Sequence, residues 1–126
     1  MSAPVTVALP ASYDVLAPDG SEVRILASGV SGSMAHFRLP PGSVSKPVAH
    51  RTVEELWYIV EGKGRMWRKH HGQESIVELS PGISLSIPVG AAFQFRSDGK
   101  TPLAAVGVTM PPWPGMDEAY AVNGKW

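Results

Sequence analysis

The chain has 126 residues, a length that suits one hydrophobic core. Lys+Arg and Asp+Glu each number 11, so the formal charge is zero and the basic excess of a nucleic-acid binder is missing. There are no cysteines, which excludes disulfides, thiolate zinc sites and a cysteine nucleophile.

No apolar run approaches membrane-spanning length, so no membrane partner is expected. The N-terminus has no basic segment ahead of an apolar one, and a cytoplasmic location is the expectation. The 13 Gly and 12 Pro punctuate the chain at short intervals, the pattern of many short strands joined by turns.

Residues 1–12 read as an extended arm or edge strand interrupted by Pro4 and Pro10. Tyr13 to Ala17 reads as a brief strand, and Asp19-Gly20 as the turn into a second strand over Glu22 to Ala27. A Gly/Ser loop follows. Met34 to Leu39 is a strand with Ala35, Phe37 and Leu39 on one side and Met34, His36 and Arg38 on the other. Pro40-Pro41-Gly42 ends it and opens a loop that runs toward His50.

Glu54 to Val60 carries large side chains on both faces, Trp57 and Ile59 against Leu56, Tyr58 and Val60. Such a strand belongs in the middle of a two-layer structure or at a subunit contact. Further strands are expected over Arg65–Lys69, Ser75–Leu79, Ile83–Ile87, Ala92–Arg96 and Leu103–Met110. The tail begins Pro-rich, and Asp117–Val122 reads as a short helical turn. About ten short antiparallel strands with regular turns imply an all-β sandwich or barrel. Closure would also protect the edges that so many short strands create.

Two stretches carry a resemblance. Gly42, five residues, Val48-x-His50, four residues, Glu55, six residues and Gly62 match the spacing of the first motif of the cupin superfamily. Gly82, five residues, Pro88-x-Gly90, two residues, Phe93, three residues and Ser97 match the second. The tail is similar to that of some small single-domain cupins. The resemblance implies a jelly-roll β-barrel: one cupin domain over 1–126, with an N-terminal arm (1–12), a motif-bearing barrel (34–110) and a Pro/Trp-rich tail (111–126). It also implies a divalent metal (Zn, Fe, Mn or Ni) held by three His and one Glu. Here Val48 and Phe93 stand at two of the His positions, leaving His50 and Glu55 as an incomplete metal set. Fewer than three protein ligands make a weak site, so the metal is expected to be absent or loosely bound.

His50 and Glu55 therefore have three open readings: a residual metal site completed by a donor such as His36 or Gln94, a metal-free acid/base pair, or structural relics. In the second reading the carboxylate would raise the pKa of the neighbouring imidazole. Val48, Trp57, Phe93, Trp67 and His36 are the expected walls of a small-molecule pocket, whereas Phe95 reads as core. His70-His71 reads as a solvated turn. Arg38, Arg65, Arg68 and Arg96 would bind an anion if any reached the cavity. The functions that follow are an isomerase, cyclase or lyase acting through His50 and Glu55, a non-catalytic ligand-binding protein, or a metal-dependent dioxygenase. A homodimer is expected from the two-faced strand, the zero charge and the aromatic tail, with Trp113 and Trp126 packing over the barrel or the partner.

Overall fold

The computed structural model describes residues 3–126. The strands are β1 (Val15–Leu16), β2 (Glu22–Ser28), β3 (Ser33–Leu39), β4 (Val48–His50), β5 (Glu54–Glu61), β6 (Gly64–His70), β7 (Gln73–Leu79), β8 (Ser84–Ile87), β9 (Ala92–Ser97), β10 (Leu103–Met110) and β11 (Ala119–Ala121). They form a six-stranded sheet in the order β1-β2-β3-β10-β5-β8 and a five-stranded sheet in the order β11-β4-β9-β6-β7. All the pairings are antiparallel. No helix among the described residues is long and apolar enough to cross a membrane.

The period-two patterns become the core. Trp57 and Ile59 on β5, Met66 on β6, Phe93 and Phe95 on β9, and Leu103 on β10 are all buried between the sheets. Trp57 is the hub: its ring stacks on Phe37 at 5.1 Å and meets Phe95 edge-on at 5.0 Å. Gly107 of β10 lies between Ala35 and Trp57 in the ladder. A Cβ there would sit 2.5 Å from the Phe37 ring and 3.1 Å from the Trp57 indole, so only glycine lets the two rings stack across this strand. The turn glycines Gly20, Gly42, Gly62, Gly82 and Gly90 all have positive φ, as their turns require.

Three features depart from the sequence reading, and one settles an alternative it left open. β4 is a strand where only a loop was expected; three residues are too few to show a period, and the strand exists through its pairing with β9 and β11. The expected helical turn near the C-terminus is a 3-10 turn at Met116–Glu118 that gives way to β11. Over 3–12 the N-terminal arm forms no strand; its Pro10 and Ala11 carbonyls accept hydrogen bonds from the Arg24 guanidinium at 3.0 and 3.2 Å. The remainder of the arm lies outside the described residues. Finally, β5 is buried on one face only, since Leu56, Tyr58 and Val60 are 51%, 52% and 42% exposed. The six-stranded sheet leaves its outer face uncovered at that strand.

Candidate functional site

The first motif delivers its residues to both sheets. Val48 and His50, two apart on β4, point inward from the five-stranded sheet, and Glu55 and Trp57, two apart on β5, point inward from the other. Phe93 on β9 pairs directly with Val48. These five side chains line one cavity of about 310 Å³. Its far wall comes from β1, β2 and β3, and the C-terminal tail supplies Trp113 and Met116.

His36 and Trp67, expected as pocket walls, do not line it. His36 pairs with Val106 and Arg24 and alternates with the inward Ala35 and Phe37, so it lies on the outer face of the sheet. Trp67 alternates with Met66 of the core; it faces out and donates its indole N–H to Glu74 at 2.8 Å. Gln94, the other conceivable third donor, is paired with Trp67. Its amide is taken by the Ser45 carbonyl and by the Lys125 and Trp126 backbone. Phe95 is core, as expected, and does not line the cavity.

Glu55 is 3% exposed. Its Oε2 accepts the Trp57 indole N–H at 2.8 Å. Burial raises its pKa to about 8; the Trp57 hydrogen bond pulls it down, and the nearby Asp19 carboxyl pushes it up again. His50 is equally enclosed. Its ring lies edge-on to Phe93 and to Trp113, each at 5.3 Å, and its Nδ1 is buried with no hydrogen-bond partner among the described residues. Burial lowers its pKa, against a smaller upward pull from Glu118. The expected raised imidazole is therefore reversed. His50 and Glu55 stand on opposite sheets, and the hydrogen bond that would lift the imidazole goes to Trp57 and not to His50.

Glu118 anchors the tail over this site. Its carboxylate accepts the backbone N–H groups of Arg51 and Thr52 and the Thr52 hydroxyl. Burial would raise its pKa, but these hydrogen bonds outweigh that and lower it. Trp113 is held from the other side, where its backbone N–H donates to Ser33 Oγ at 2.9 Å. Ser33 in turn shares a hydrogen bond with Thr109, also in the cavity wall.

Asp19 is the residue that sequence reasoning missed. It was read only as half of a turn signal. The turn is there, with Gly20 at φ 93°, but the Asp19 side chain folds inward and is 7% exposed in the cavity wall. Its Oδ1 accepts the N–H and the hydroxyl of Ser21, at 2.9 and 2.7 Å. Burial raises its pKa, and the two Ser21 bonds only partly offset that. No local signal separates a turn Asp that faces water from one that faces a cavity.

The family model of the cupin domain (Cupin_2) matches residues 35–109. The chain belongs to the cupin family. A protein of Methanocaldococcus jannaschii described as uncharacterized is 31% identical over 110 residues, 80% of this chain and 85% of its own. Among solved structures, oxalate decarboxylase from Bacillus subtilis, described with Mn(II) centres, superposes with a TM-score of 0.70 at 18% identity. The match covers 81% of this cupin chain and 28% of that one. The capsular polysaccharide assembling protein CapF from Staphylococcus aureus gives a TM-score of 0.67 at 20% identity, over 82% and 32% of the two chains. The chain thus spans about a third of either protein. A Klebsiella pneumoniae protein with a double-stranded β-helix domain is closer in size, with a TM-score of 0.68 at 13% identity over 82% and 85%.

The donor set does not fit the metal that the cupin resemblance implies. Val48 and Phe93, 5% and 1% exposed, fill the places of two imidazoles with apolar side chains. Among the described residues no three His, Asp or Glu side chains are grouped to share an ion. His36 and Gln94, the third donors considered from the sequence, lie on the outer faces of the sheets. The set is incomplete.

Proposed function

We propose that this cupin is a small-molecule enzyme of the isomerase, cyclase or lyase kind, in which Glu55 and His50 exchange protons with a ligand held between them. One observation carries the reading. Two titratable groups line the same apolar cavity, and burial drives them in opposite directions, Glu55 up to about 8 and His50 down. Near neutral pH the carboxyl keeps its proton and the imidazole is unprotonated. Environments that separate pKa values in this way assign an acid and a base. Glu55 donates its proton toward a ligand oxygen, and His50 accepts one from the ligand. The ligand leaves with its proton count unchanged, and the two groups reset by exchange with solvent. No step requires a metal.

A ligand-binding protein without turnover is the second reading. It is favoured by the packing of His50 between Phe93 and Trp113, which leaves the imidazole little room to move. Glu55→Gln separates the two. Gln keeps the acceptor for Trp57 but has no proton to give, so turnover of a cognate ligand should fall by about 10²–10⁴-fold with binding retained. Unchanged turnover would remove the acid role. His50→Ala should behave in parallel.

The proposal includes a homodimer joined through the uncovered face of the six-stranded sheet. The cross-strand pair Val108–Leu56 and the row His36–Val106–Tyr58 make a largely apolar stripe there. Zero net charge offers no general repulsion between copies.

A further inference from the structure

The nature of the ligand follows from which charges reach the cavity, provided that the cavity is a ligand site as proposed above. Among the described residues, two carboxyl groups, Asp19 and Glu55, and one imidazole, His50, line it, and no Lys or Arg does. The four arginines that could have received an anion are engaged elsewhere or face away. Arg65 and Arg96 both pair with Asp98. Arg68 donates to the Ser86 carbonyl, and Arg38 lies in the outer row with Glu22 and Ala104. An anionic ligand would meet two acidic groups and no counter-charge.

The two carboxyl groups are each half used. Ser21 occupies Asp19 Oδ1 and Trp57 occupies Glu55 Oε2, while Oδ2 of Asp19 and Oε1 of Glu55 take no hydrogen bond from the described residues. Neither oxygen is among the sealed, unpaired polar atoms of the described residues, so each is open to a hydrogen bond from a ligand. The remaining walls are mainly apolar and include four aromatic side chains, Phe37, Trp57, Phe93 and Trp113. Aromatic side chains with carboxyl groups among them, and no Lys or Arg among the described residues, form the complement of an organic cation.

We infer that the cavity takes a small organic cation, a protonated amine, whose ammonium group docks on Asp19 against the aromatic walls. Glu55 and His50 are then left for the proton transfer. Asp19 becomes the specificity residue, and its bonds to Ser21 hold the carboxyl in place. A metal ion is a poorer occupant, because no three donors converge and the aromatic faces would offer it nothing.

The test uses the full chain and three probes of one shape: benzylamine, benzyl alcohol and benzoate. Binding is read by protein-detected NMR through shifts of the Trp57 and Trp113 indole signals. Benzylamine should bind about tenfold tighter than benzyl alcohol, because of a charge-assisted hydrogen bond and ring contacts, and benzoate should not bind. Asp19→Asn keeps an acceptor for Ser21 and removes the charge. In that variant the amine should lose its advantage while the alcohol binds as before. Benzoate binding as well as benzylamine, or an amine preference that survives Asp19→Asn, would overturn the inference. Alcohol binding with no amine preference in the wild type would overturn it and leave the pocket standing. Failure of all three probes would overturn both. Manganese(II) chloride serves as a further arm. Paramagnetic broadening of the cavity signals at equal protein concentration would make the occupant a metal ion and would also overturn it.

Discussion

Trp57 donates its indole N–H to Glu55, two residues back on the same face of β5, at 2.8 Å. This short link joins the hub of the core to the acid of the candidate site. The Trp57 ring is fixed by its stack on Phe37 and its edge contact with Phe95. A rigid donor therefore holds one carboxyl oxygen and leaves the other toward the cavity. The hydrogen bond favours the ionised form, yet burial outweighs it and the pKa rises to about 8.

The raised pKa makes stability depend on pH. Because the folded value lies above the unfolded one, the folded state holds the proton between the ordinary carboxyl value of 4.5 and about 8. The contribution of Glu55 to stability is therefore intact below pH 4.5 and is lost as pH rises through about 8. At alkaline pH the loss is on the order of several kcal/mol. Glu55→Gln removes this dependence. The variant should be more stable than wild type at pH 9 and close to it at pH 5. Urea unfolding across this range checks the point; parallel pH curves for the two proteins would show that Glu55 ionises normally.

Trp57→Phe keeps an aromatic ring in the hub and removes the donor. The Glu55 pKa should rise further, since the group that favours its ionised form is gone. Stability should fall by about 1–3 kcal/mol from the lost hydrogen bond and altered packing. A carbon-13 NMR titration of the Glu55 carboxyl reads the first effect and denaturant unfolding the second. An unmoved titration would mean that the 2.8 Å contact does not tune the acid.

Val48 and Phe93 are direct partners across β4 and β9 and point into the cavity beside His50. The double substitution Val48→His and Phe93→His would set three imidazoles and one carboxylate around the same space. It should convert a chain that loses added manganese or zinc on dialysis into one that retains about one ion per chain. Metal analysis after dialysis decides the matter. Retention of a stoichiometric ion by the wild type would show that the apolar pair does not abolish the site.

The exposed row of β5 is the place to test association. Tyr58→Lys, at a position 52% exposed, puts a charge in the apolar stripe without touching the core. Sedimentation should then show a shift from dimer to monomer, with the melting temperature of the isolated chain little changed. A wild-type chain that is already monomeric at high concentration would remove the proposed dimer.

Much of the fold was legible in the residues. Alternation in β3, β5, β8 and β9 is a local property, and the Gly and Pro turns between strands are local too. Nine of the eleven strands follow from these signals. β4 and β11 do not, because three-residue strands show no period and exist only where neighbours pair with them. The alternation of Ala35, His36 and Phe37 was also plain, but which face met the core was settled by the Phe37–Trp57 stack, and that turned His36 outward.

Through its resemblance to the two cupin motifs, the sequence placed His50, Glu55, Val48 and Phe93 together, and all four line one cavity. It also determined that two expected imidazoles are replaced. Only the tertiary structure decided the surroundings of the remaining groups. Assembly of the sheets parted His50 from Glu55, gave the carboxyl to Trp57, and brought Asp19 in from a turn and Trp113 back from the tail. The reason is physical: ionisation depends on burial and on neighbours distant along the chain, and neither is a property of local sequence.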